Sequence, residues 1–261
     1  MNTFIFFKRA KIHYNDYGKG KVIVLLHGFL ENSTMWNGFI TQWSKNNRIV
    51  TIDLLGHGQS DCLGYIHSME LMANTVAKVL AHLKIMKATF IGHSMGGYVA
   101  LAFAELYPNK VRGLCLMNST SKPDSKDKQK NRDRAIEAVK YNYKTFIRIS
   151  ITNLFRPKNR RIFSEKIKVV IHEALKTPLQ SIIAALEGMK IRKDRQETFR
   201  DGNFKKMMII SIKDPVLEYQ SLIDEASNNT IKIVELPDGH MSHIENKEAF
   251  SYNIMHFIEN I

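Results

Sequence analysis

Cysteine is scarce in this sequence: Cys62 and Cys115 are the only two among 261 residues, and they form no CxxC pair. Two isolated cysteines predict buried or idle thiols and fit a reducing, cytoplasmic setting. Long apolar runs are also lacking, since none approaches the roughly 18 residues needed to cross a bilayer. Lys8 and Arg9 interrupt the short N-terminal apolar run, and no basic stretch precedes it. We therefore expect neither a signal peptide nor a membrane anchor there.

Acidic residues are few as well, with 25 Asp and Glu against 38 Lys and Arg, which gives a net charge of +13. The excess is confined to residues 122–206, which hold 23 Lys and Arg and 10 Asp and Glu, while the rest of the chain is balanced. This asymmetry predicts a chain in two parts. A hydrophobic content of 44% is enough for a full core and excludes a disordered class of protein.

Short apolar runs alternate with helical patterns over most of the chain. Uninterrupted apolar runs of this length indicate strands buried on both faces, and their alternation with helices indicates a parallel, doubly wound sheet of the α/β class. The N-terminal stretch alternates in the way of a first strand or hairpin. The runs are residues 22–26, 49–52, 88–92, 113–117 and 207–212, with a further strand in IKIVEL, and the helical patterns cover 68–85, 96–107 and 246–260.

Residues 122–204 break this alternation, because they carry helical patterns and no strand signal. One pattern runs from Ile136 to Leu154 and ends before Pro157, and a second covers 162–175. A third begins at Thr177-Pro178, interpreted as the N-cap and first helical position. The chain is therefore expected to form a core from residues 1–121 and 205–261, with residues 122–204 as an all-helical insertion.

The stretch GHSMG fits the pattern G-x-S-x-G at Gly92, Ser94 and Gly96. The pattern alone is weak, but here a predicted strand precedes it and a predicted helix follows it. A serine on such a tight turn holds its hydroxyl above the sheet, and side chains at positions 92 and 96 would collide there. The context favours a nucleophile over a flexible glycine turn.

A serine nucleophile needs a base and an acid that orients the base. Asp214 follows the apolar strand MMIISI, so it is placed at the same sheet edge as Ser94. His240 follows the last strand and a turn, and can reach that edge from a loop. Asp124 and Glu218 remain as substitutes for the acid. His243 competes with His240, although a place near the start of the closing helix suits it better.

Acyl transfer also requires N–H donors for the oxyanion. Met95, directly after the serine, supplies one, and Phe29 in the loop LLHGF supplies the second. His27 in the same loop is interpreted as structural rather than as a base.

Together these segments resemble the α/β-hydrolase superfamily, and within it the small serine esterases and lyases. The matching segments are HGF at 27–29, DLLGHGQSD at 53–61, GHSMGG at 92–97, Asp214 at a strand end, and GHMSHIENKEAF at 239–250. The resemblance implies the α/β-hydrolase fold with the insertion as a cap. It also implies a triad of Ser94, Asp214 and His240, with Phe29 and Met95 as the oxyanion hole.

The resemblance gives two further indications. Asp53, His57 and Ser60 are expected to hold a turn near the site. Ser211 departs from the family, which often has glycine there before the acid. Ser94 argues against the dehalogenases and epoxide hydrolases of the superfamily, which use an aspartate nucleophile.

The sequence therefore predicts a serine hydrolase that cleaves a carboxylic ester or related acyl compound through an acyl-enzyme, without a metal or organic cofactor. A C–C bond hydrolase or lyase with the same triad is the alternative, although Tyr98 stands where a menaquinone-pathway lyase carries arginine. A non-catalytic, ligand-binding member of the fold is a second alternative.

The expected partner is a small-molecule acyl substrate. The basic insertion is either a solvated surface or a device that steers an anionic substrate. No nucleic-acid-binding motif accompanies its charge, so no nucleic-acid partner is expected. Trp36, Phe146, Phe155 and Met189 could line the pocket, with core packing as the default for each. The oligomeric state is left open.

Overall fold

The fold is built on one sheet, as given by a computed structural model that describes residues 3–227 and 230–261. Its strand order is β1-β2-β4-β3-β5-β6-β7-β8. The pairs β1–β2 and β2–β4 are antiparallel and all later pairs are parallel. The strands are β1 (Thr3–Phe7), β2 (Ala10–Tyr17), β3 (Lys21–Leu26), β4 (Asn47–Ile52), β5 (Ala88–His93), β6 (Val111–Met117), β7 (Lys205–Ser211) and β8 (Ile231–Leu236).

Helices follow most of the parallel strands. They are α1 (Asn37–Trp43), α2 (Met69–His82), α3 (Met95–Leu106), α4 (Lys126–Tyr141), α5 (Tyr143–Leu154), α6 (Ser164–Ala174), α7 (Leu179–Lys190), α8 (Gln196–Asp201), α9 (Tyr219–Glu225), α10 (Ser242–Glu245) and α11 (Lys247–Glu259). Within the described ranges, no helix is both long and apolar enough to cross a bilayer.

The central strands are buried on both faces, as their uniformly apolar sequences predict. In β3, Val24 and Leu26 belong to one hydrophobic cluster, which includes α2 and α3. Ile23 and Leu25 belong to a second cluster, which includes α1 and α11. This arrangement confirms the α/β class with helices on both sides of a mostly parallel sheet.

Helices α4 to α8 form the insertion between β6 and β7, and this confirms the predicted helical insertion. Its apolar side chains extend the cluster that contains α2 and α3, through residues such as Val139, Ile147 and Ile151. The insertion is thus packed onto the core and not tethered beside it. The division of the chain at residues 122 and 204 stays a prediction.

Two details of the insertion differ from the sequence prediction. The pattern from Ile136 to Leu154 is two helices, because Asn142 leaves the helical conformation (φ −148°, ψ 86°) and its side chain accepts a hydrogen bond from the Thr145 N–H. Asparagine favours such cap positions over helix interiors. The Thr177-Pro178 prediction is also wrong by one residue: Pro178 has ψ 146°, so it is the N-cap and α7 begins at Leu179.

Loops at the carboxyl edge of the parallel strands carry the candidate residues. The loop after β3 holds Phe29, the turn after β5 holds Ser94, and the loops after β7 and β8 hold Asp214 and His240. Because parallel strands all end at the same edge, residues far apart in the chain converge there.

Candidate active site

Ser94 joins β5 to α3 in a strained conformation, with φ 49° and ψ −114°. A positive φ is rare for a residue with a side chain and costs about 1–3 kcal/mol. Several hydrogen bonds hold it: the Ser94 N–H donates to Met117 O at 2.9 Å, while Ser94 O accepts from the Gly97 N–H at 2.9 Å and from Ser119 Oγ at 2.8 Å. The turn is therefore fixed and not flexible.

The glycines around Ser94 fill positions where no side chain fits. A Cβ on Gly92 would lie 2.5 Å from the Gly96 backbone, and a Cβ on Gly96 would lie 2.4 Å from Leu26 O in β3. A Cβ on Gly97 would lie 2.3 Å from Ser119 Oγ. These contacts bring α3 against the sheet and agree with the steric explanation of the motif.

Asp214 and His240 meet as the sequence suggests, with His240 Nδ1 2.7 Å from Asp214 Oδ2. Both side chains are buried. The Val216 and Leu217 N–H groups donate to Asp214 Oδ1 at 2.8 and 3.1 Å. Burial raises the pKa of Asp214, but the attraction of His240 and these hydrogen bonds outweigh it, so the net pKa is lowered. Asp214 is thus held as a carboxylate.

Asn118 also contacts this carboxylate, and the sequence reasoning missed it. Its Nδ2 group donates to Asp214 Oδ2 at 3.1 Å, and its Oδ1 atom accepts from Ser242 Oγ at 2.6 Å. Asn118 has a positive φ of 45° directly after β6. An asparagine at a strand end, which tolerates that conformation, was the available signal.

The substitutes for the acid lie elsewhere. Asp124 is buried and pairs with Arg132 at 3.0 Å and Arg192 at 2.6 Å. Glu218 is exposed at the residue before α9. The carboxylate that reaches His240 is that of Asp214, and Ser211, where the family often has glycine, ends β7 without preventing this contact.

His243 lies in α10, as the sequence places it near the closing helix, and its side chain is buried. Burial lowers the pKa of His243 to about 3, so the imidazole is neutral at physiological pH. Its Nε2 atom is 3.8 Å from Glu31 Oε1. His243 thus lies beside Glu31 and does not line the cavity that contains Ser94.

The loop after β3 is shaped by its own polar contacts. His27 Nδ1 donates to Gly28 O at 2.8 Å, and His27 Nε2 accepts from the Leu54 N–H at 2.9 Å. Both ring atoms are used, and burial lowers the pKa of His27, which agrees with a structural role. Phe29 follows in this loop, and Met95 is the first residue of α3, whose early N–H groups have no partner within the helix.

Asp53 holds the turn after β4, as the resemblance implies. Its carboxylate accepts from the N–H groups of Ser33 and Gln59 at 2.7 and 2.9 Å and contacts His13 Nδ1 at 3.0 Å. Ser60 Oγ donates to Asp53 O at 2.6 Å. The motif DLLGHGQSD is therefore a braced turn beside the site.

A second buried carboxylate, Glu31, was not anticipated from the sequence. Glu31 Oε2 accepts from the Gly28 N–H at 2.8 Å and from His93 Nδ1 at 2.6 Å. His93 Nε2 in turn donates to His240 O at 3.0 Å. Burial opposes charge on Glu31, but the attraction of His93 lowers its pKa to about 2. Glu31 and His93 are 62 positions apart in the chain, so no local sequence pattern predicts their contact.

Ser94 and His240 line one cavity of about 130 Å³, here called the Ser94 cavity. Its other walls are mostly apolar, with His93, Tyr98, Arg132 and Ser150 as polar groups. Of the four predicted lining residues, Met189 is present, while Trp36, Phe146 and Phe155 pack in the hydrophobic clusters instead. The described lining residues are Phe29, Leu30, His93, Ser94, Tyr98, Arg132, Ser150, Ile151, Leu154, Met189, Val216 and His240.

A larger cavity of about 270 Å³ shares Leu30 with the Ser94 cavity as a lining residue. Glu31 and His243 line this second cavity beside α6 and α11. Together with His93, they bring possible metal-ligand atoms within 4.8 Å of one another. His93 Nδ1 and Nε2 are already engaged with Glu31 and His240, whereas His243 Nε2 is 3.8 Å from Glu31 Oε1, which is beyond hydrogen-bond distance. The prediction that no metal is needed stays a prediction.

Residues 21–247 match the α/β hydrolase fold family, and the chain belongs to that family. Its structure is similar to a thermophilic esterase from Thermogutta terrifontis solved with malate bound, at 27% identity and a TM-score of 0.93, covering 100% of this chain and 98% of that one. It is also similar in fold to an enol-lactonase from Burkholderia xenovorans, at 20% identity and a TM-score of 0.91, covering 98% of this chain and 100% of that one. The predicted family and fold are confirmed.

Curated relatives include a hydrolase of Paraburkholderia phymatum acting on 2-hydroxy-6-oxononadienedioate and the corresponding trienedioate. It is 29% identical over 195 residues, which is 72% of this chain and 63% of that protein. A putative 2-succinyl-6-hydroxy-2,4-cyclohexadiene-1-carboxylate synthase of Bacillus subtilis is 35% identical over 102 residues, which is 38% of this chain and 37% of that protein. Each match spans less than two thirds of the relative's own length.

Substituting Gly96 tests the steric basis of the Ser94 turn. In Gly96→Ala, the new Cβ would meet Leu26 O at 2.4 Å, so backbone must move, and we expect a loss of at least about 2 kcal/mol in the free energy of unfolding. Gly38→Ala in α1 is the control, because its Cβ would meet only the Lys247 side chain at 3.7 Å. It should leave stability unchanged or raise it by up to about 1 kcal/mol. Urea unfolding measures both, and equal stabilities would contradict the explanation.

Buried neutral histidines predict a loss of stability in mild acid. Burial lowers the pKa of His57 and His243 to about 3 and that of His67 to about 4. Below about pH 6.5 these imidazoles bind protons in the unfolded chain but not in the folded one, so the free energy of unfolding falls as pH drops from 6.5 to 5. His57→Gln should reduce that slope by roughly 1 kcal/mol per pH unit. Parallel pH profiles for the two proteins would contradict the assignment of His57 as buried and neutral.

Proposed function

We propose that this protein is a serine hydrolase that cleaves a carboxylic ester or related acyl compound through an acyl-enzyme intermediate. The observation that carries the proposal is the 2.7 Å contact of His240 Nδ1 with Asp214 Oδ2, in a cavity that His240 shares with the strained Ser94. The similarity to an esterase over the whole chain supports it further.

The first step is attack by Ser94 Oγ on the substrate carbonyl. His240 donates a hydrogen bond from its Nδ1–H group to Asp214, which leaves the Nε2 lone pair to take the Ser94 proton. The same carboxylate stabilises the imidazolium that forms. Asp214 accepts hydrogen bonds from two backbone N–H groups and from the Asn118 amide, so it stays ionised. The ionised carboxylate keeps the His240 proton on Nδ1.

The N–H groups of Phe29 and Met95 stabilise the oxyanion of the tetrahedral intermediate. Met95 begins α3, where the helix dipole also favours negative charge. Preorganised donors of this kind contribute about 2.7–4 kcal/mol each to transition-state stabilisation.

Collapse of the intermediate expels the alcohol, with His240 returning the proton to the leaving oxygen. Water then enters, and His240 removes its proton as the water attacks the acyl-enzyme. A second tetrahedral intermediate breaks down to release the acid and restore Ser94. Every proton in this cycle moves through His240 Nε2.

Hydrolysis of a C–C bond is the second candidate, and the similarity to the Paraburkholderia phymatum hydrolase over 72% of the chain favours it. The same triad and oxyanion donors would serve that reaction. Product analysis separates the candidates, because ester cleavage releases an alcohol and an acid, whereas C–C cleavage of a diketone releases a ketone and an acid.

Replacing Ser94 tests the nucleophile. In Ser94→Ala, we expect kcat for 4-nitrophenyl acetate to fall by at least about 10⁴-fold and covalent labelling by a fluorophosphonate probe to disappear. Ser150→Ala is the matched control, because Ser150 is a second serine in the same cavity and should leave labelling intact.

Retained turnover and labelling in Ser94→Ala would refute the assignment. Labelling of the wild type without turnover of a broad ester panel would instead favour the non-catalytic, ligand-binding alternative. Mass spectrometry of the labelled peptide identifies the modified serine directly.

A further inference from the structure

Arg132 brings a permanent positive charge into the Ser94 cavity. It lies in α4 of the insertion, and its side chain is 23% exposed. Of the described lining residues, it is the one with a guanidinium or ammonium group. A guanidinium at a partly dehydrated cavity wall presents a planar fork that matches a carboxylate.

Arg132 is only partly neutralised by its neighbour. Asp124 Oδ2 accepts from Arg132 Nε at 3.0 Å, while Asp124 Oδ1 contacts Arg192 Nη1 at 2.6 Å. One buried carboxylate thus serves two guanidinium groups. The contact with Arg132 uses Nε and not the terminal Nη groups, which are the ones suited to bind a second carboxylate.

Two other cations lie close to Arg132 without lining the cavity. The Arg192 guanidinium lies over the ring of Tyr98, 4.1 Å from its centroid, and Tyr98 itself lines the cavity. Burial, followed by repulsion from Arg192 and Arg132, lowers the pKa of Lys128. The surroundings of Arg132 therefore carry an excess of positive charge.

Apolar side chains form much of the remaining wall, with Ile151, Leu154 and Met189 from the insertion and Leu30 from the core. A ligand that satisfies both features has a short hydrocarbon part and one anionic group. We propose that Arg132 binds a carboxylate of the substrate, so the substrate class is small esters that carry a free carboxylate, such as monoesters of dicarboxylic acids. This inference rests on the proposed function for the ester and on the geometry around Arg132 for the carboxylate.

The kinetic test compares esters of equal length with and without the charge. Monomethyl glutarate is matched with methyl pentanoate for a carboxylate on the acyl side, and 4-acetoxybenzoate with 4-acetoxybenzamide for the leaving-group side. For at least one pair, Arg132→Gln should lower kcat/KM for the charged ester by about 10- to 100-fold and that for the neutral ester by less than about 3-fold. Arg132→Lys should lie between, because it keeps the charge but loses the fork.

Arg148→Gln is the matched control. Arg148 is exposed on α5, so its replacement removes one charge from the insertion outside the cavity. It should leave the ratio of charged to neutral kcat/KM unchanged. An equal fall in that ratio for both variants would mean long-range steering by net charge and would overturn the subsite.

A binding measurement keeps this inference separate from the proposed function. Glutarate is titrated into Ser94→Ala with and without Arg132→Gln, and calorimetry should show at least about 10-fold weaker binding without the guanidinium. Equal binding to both proteins, or none to either, overturns the carboxylate subsite whatever the enzyme hydrolyses. If the wild type turns over no ester, but glutarate binding still depends on Arg132, the hydrolase proposal is overturned and the carboxylate subsite stands.

Glu31 supports a second inference from different contacts. Its carboxylate accepts a hydrogen bond from the Gly28 N–H, in the loop that carries Phe29, and another from His93, the residue directly before Ser94. His93 then binds the backbone carbonyl of His240. We infer that Glu31 is a positioning residue that fixes three catalytic segments relative to one another, and this inference also rests on the proposed function.

Asp53→Asn is the matched control for Glu31→Gln, because Asp53 is also a buried carboxylate that accepts backbone N–H groups and contacts a histidine. Both variants should lose stability. We expect only Glu31→Gln to lower kcat by about 10- to 100-fold with KM within about 3-fold, since displacing reacting groups by about 1 Å can cost about 100-fold in rate.

Hydrogen exchange supplies a readout that does not depend on turnover. In Glu31→Gln, amides of residues 27–31 and 238–243 should exchange faster than in Asp53→Asn. An unchanged kcat in folded Glu31→Gln, or an equal fall in Asp53→Asn, would overturn the inference. If Glu31→Gln does not fold, His93→Gln breaks the same chain of contacts and is judged by the same criteria.

Discussion

The close approach of three backbone segments at Ser94 is the constraint on which the rest of the site depends. Gly96 at the start of α3 touches the end of β3, and Gly92 at the end of β5 touches Gly96. No residue larger than glycine fits at either contact. The positive φ of Ser94 follows from this geometry, because the chain must turn sharply from strand to helix there. The surrounding fold stabilises a conformation that an isolated segment would avoid.

Two buried carboxylates, Asp214 and Glu31, hold different parts of the site in place. Asp214 binds the His240 ring, while Glu31 acts on the backbone through His93. Both are dehydrated, and both keep a lowered pKa because a neighbouring histidine attracts the charge and hydrogen-bond donors add to it. A buried charge is costly unless it is paired and hydrogen-bonded. Each of these two buried carboxylates therefore needs its histidine and N–H partners in order to stay ionised.

The sequence predicted the sheet, the insertion and the Asp214–His240 contact, because local patterns carry each of them. Apolar runs identified buried strands, and the position of Asp214 at a strand end identified its edge of the sheet. The break at Asn142 was missed because the apolar spacing continues through it. Glu31 and Arg132 were missed as site residues for another reason. Glu31 binds His93, which is 62 positions away in the chain. Arg132 stands among many exposed charged residues, where a single arginine carries no signal of its place in a cavity.

The net charge of +13 does not by itself explain the cavity wall near Arg132. Many cations of the insertion stand in exposed pairs three residues apart, such as Lys168 with Glu165. Such pairs contribute a few tenths of a kcal/mol and are screened within about 8 Å at physiological salt.

Buried and half-buried cations act differently because their partners are fixed. Arg195 is buried and binds both Glu70 and Glu105, which joins the end of the insertion to α2 and α3 with its charge compensated. Arg132 and Arg192 share the single carboxylate of Asp124. The two guanidinium groups and one carboxylate leave one positive charge uncompensated. Arg132 carries it at the wall of the Ser94 cavity, where a low dielectric strengthens its interaction with an anion. The position of one charge relative to its partners, and not the total, is what can distinguish one ester from another.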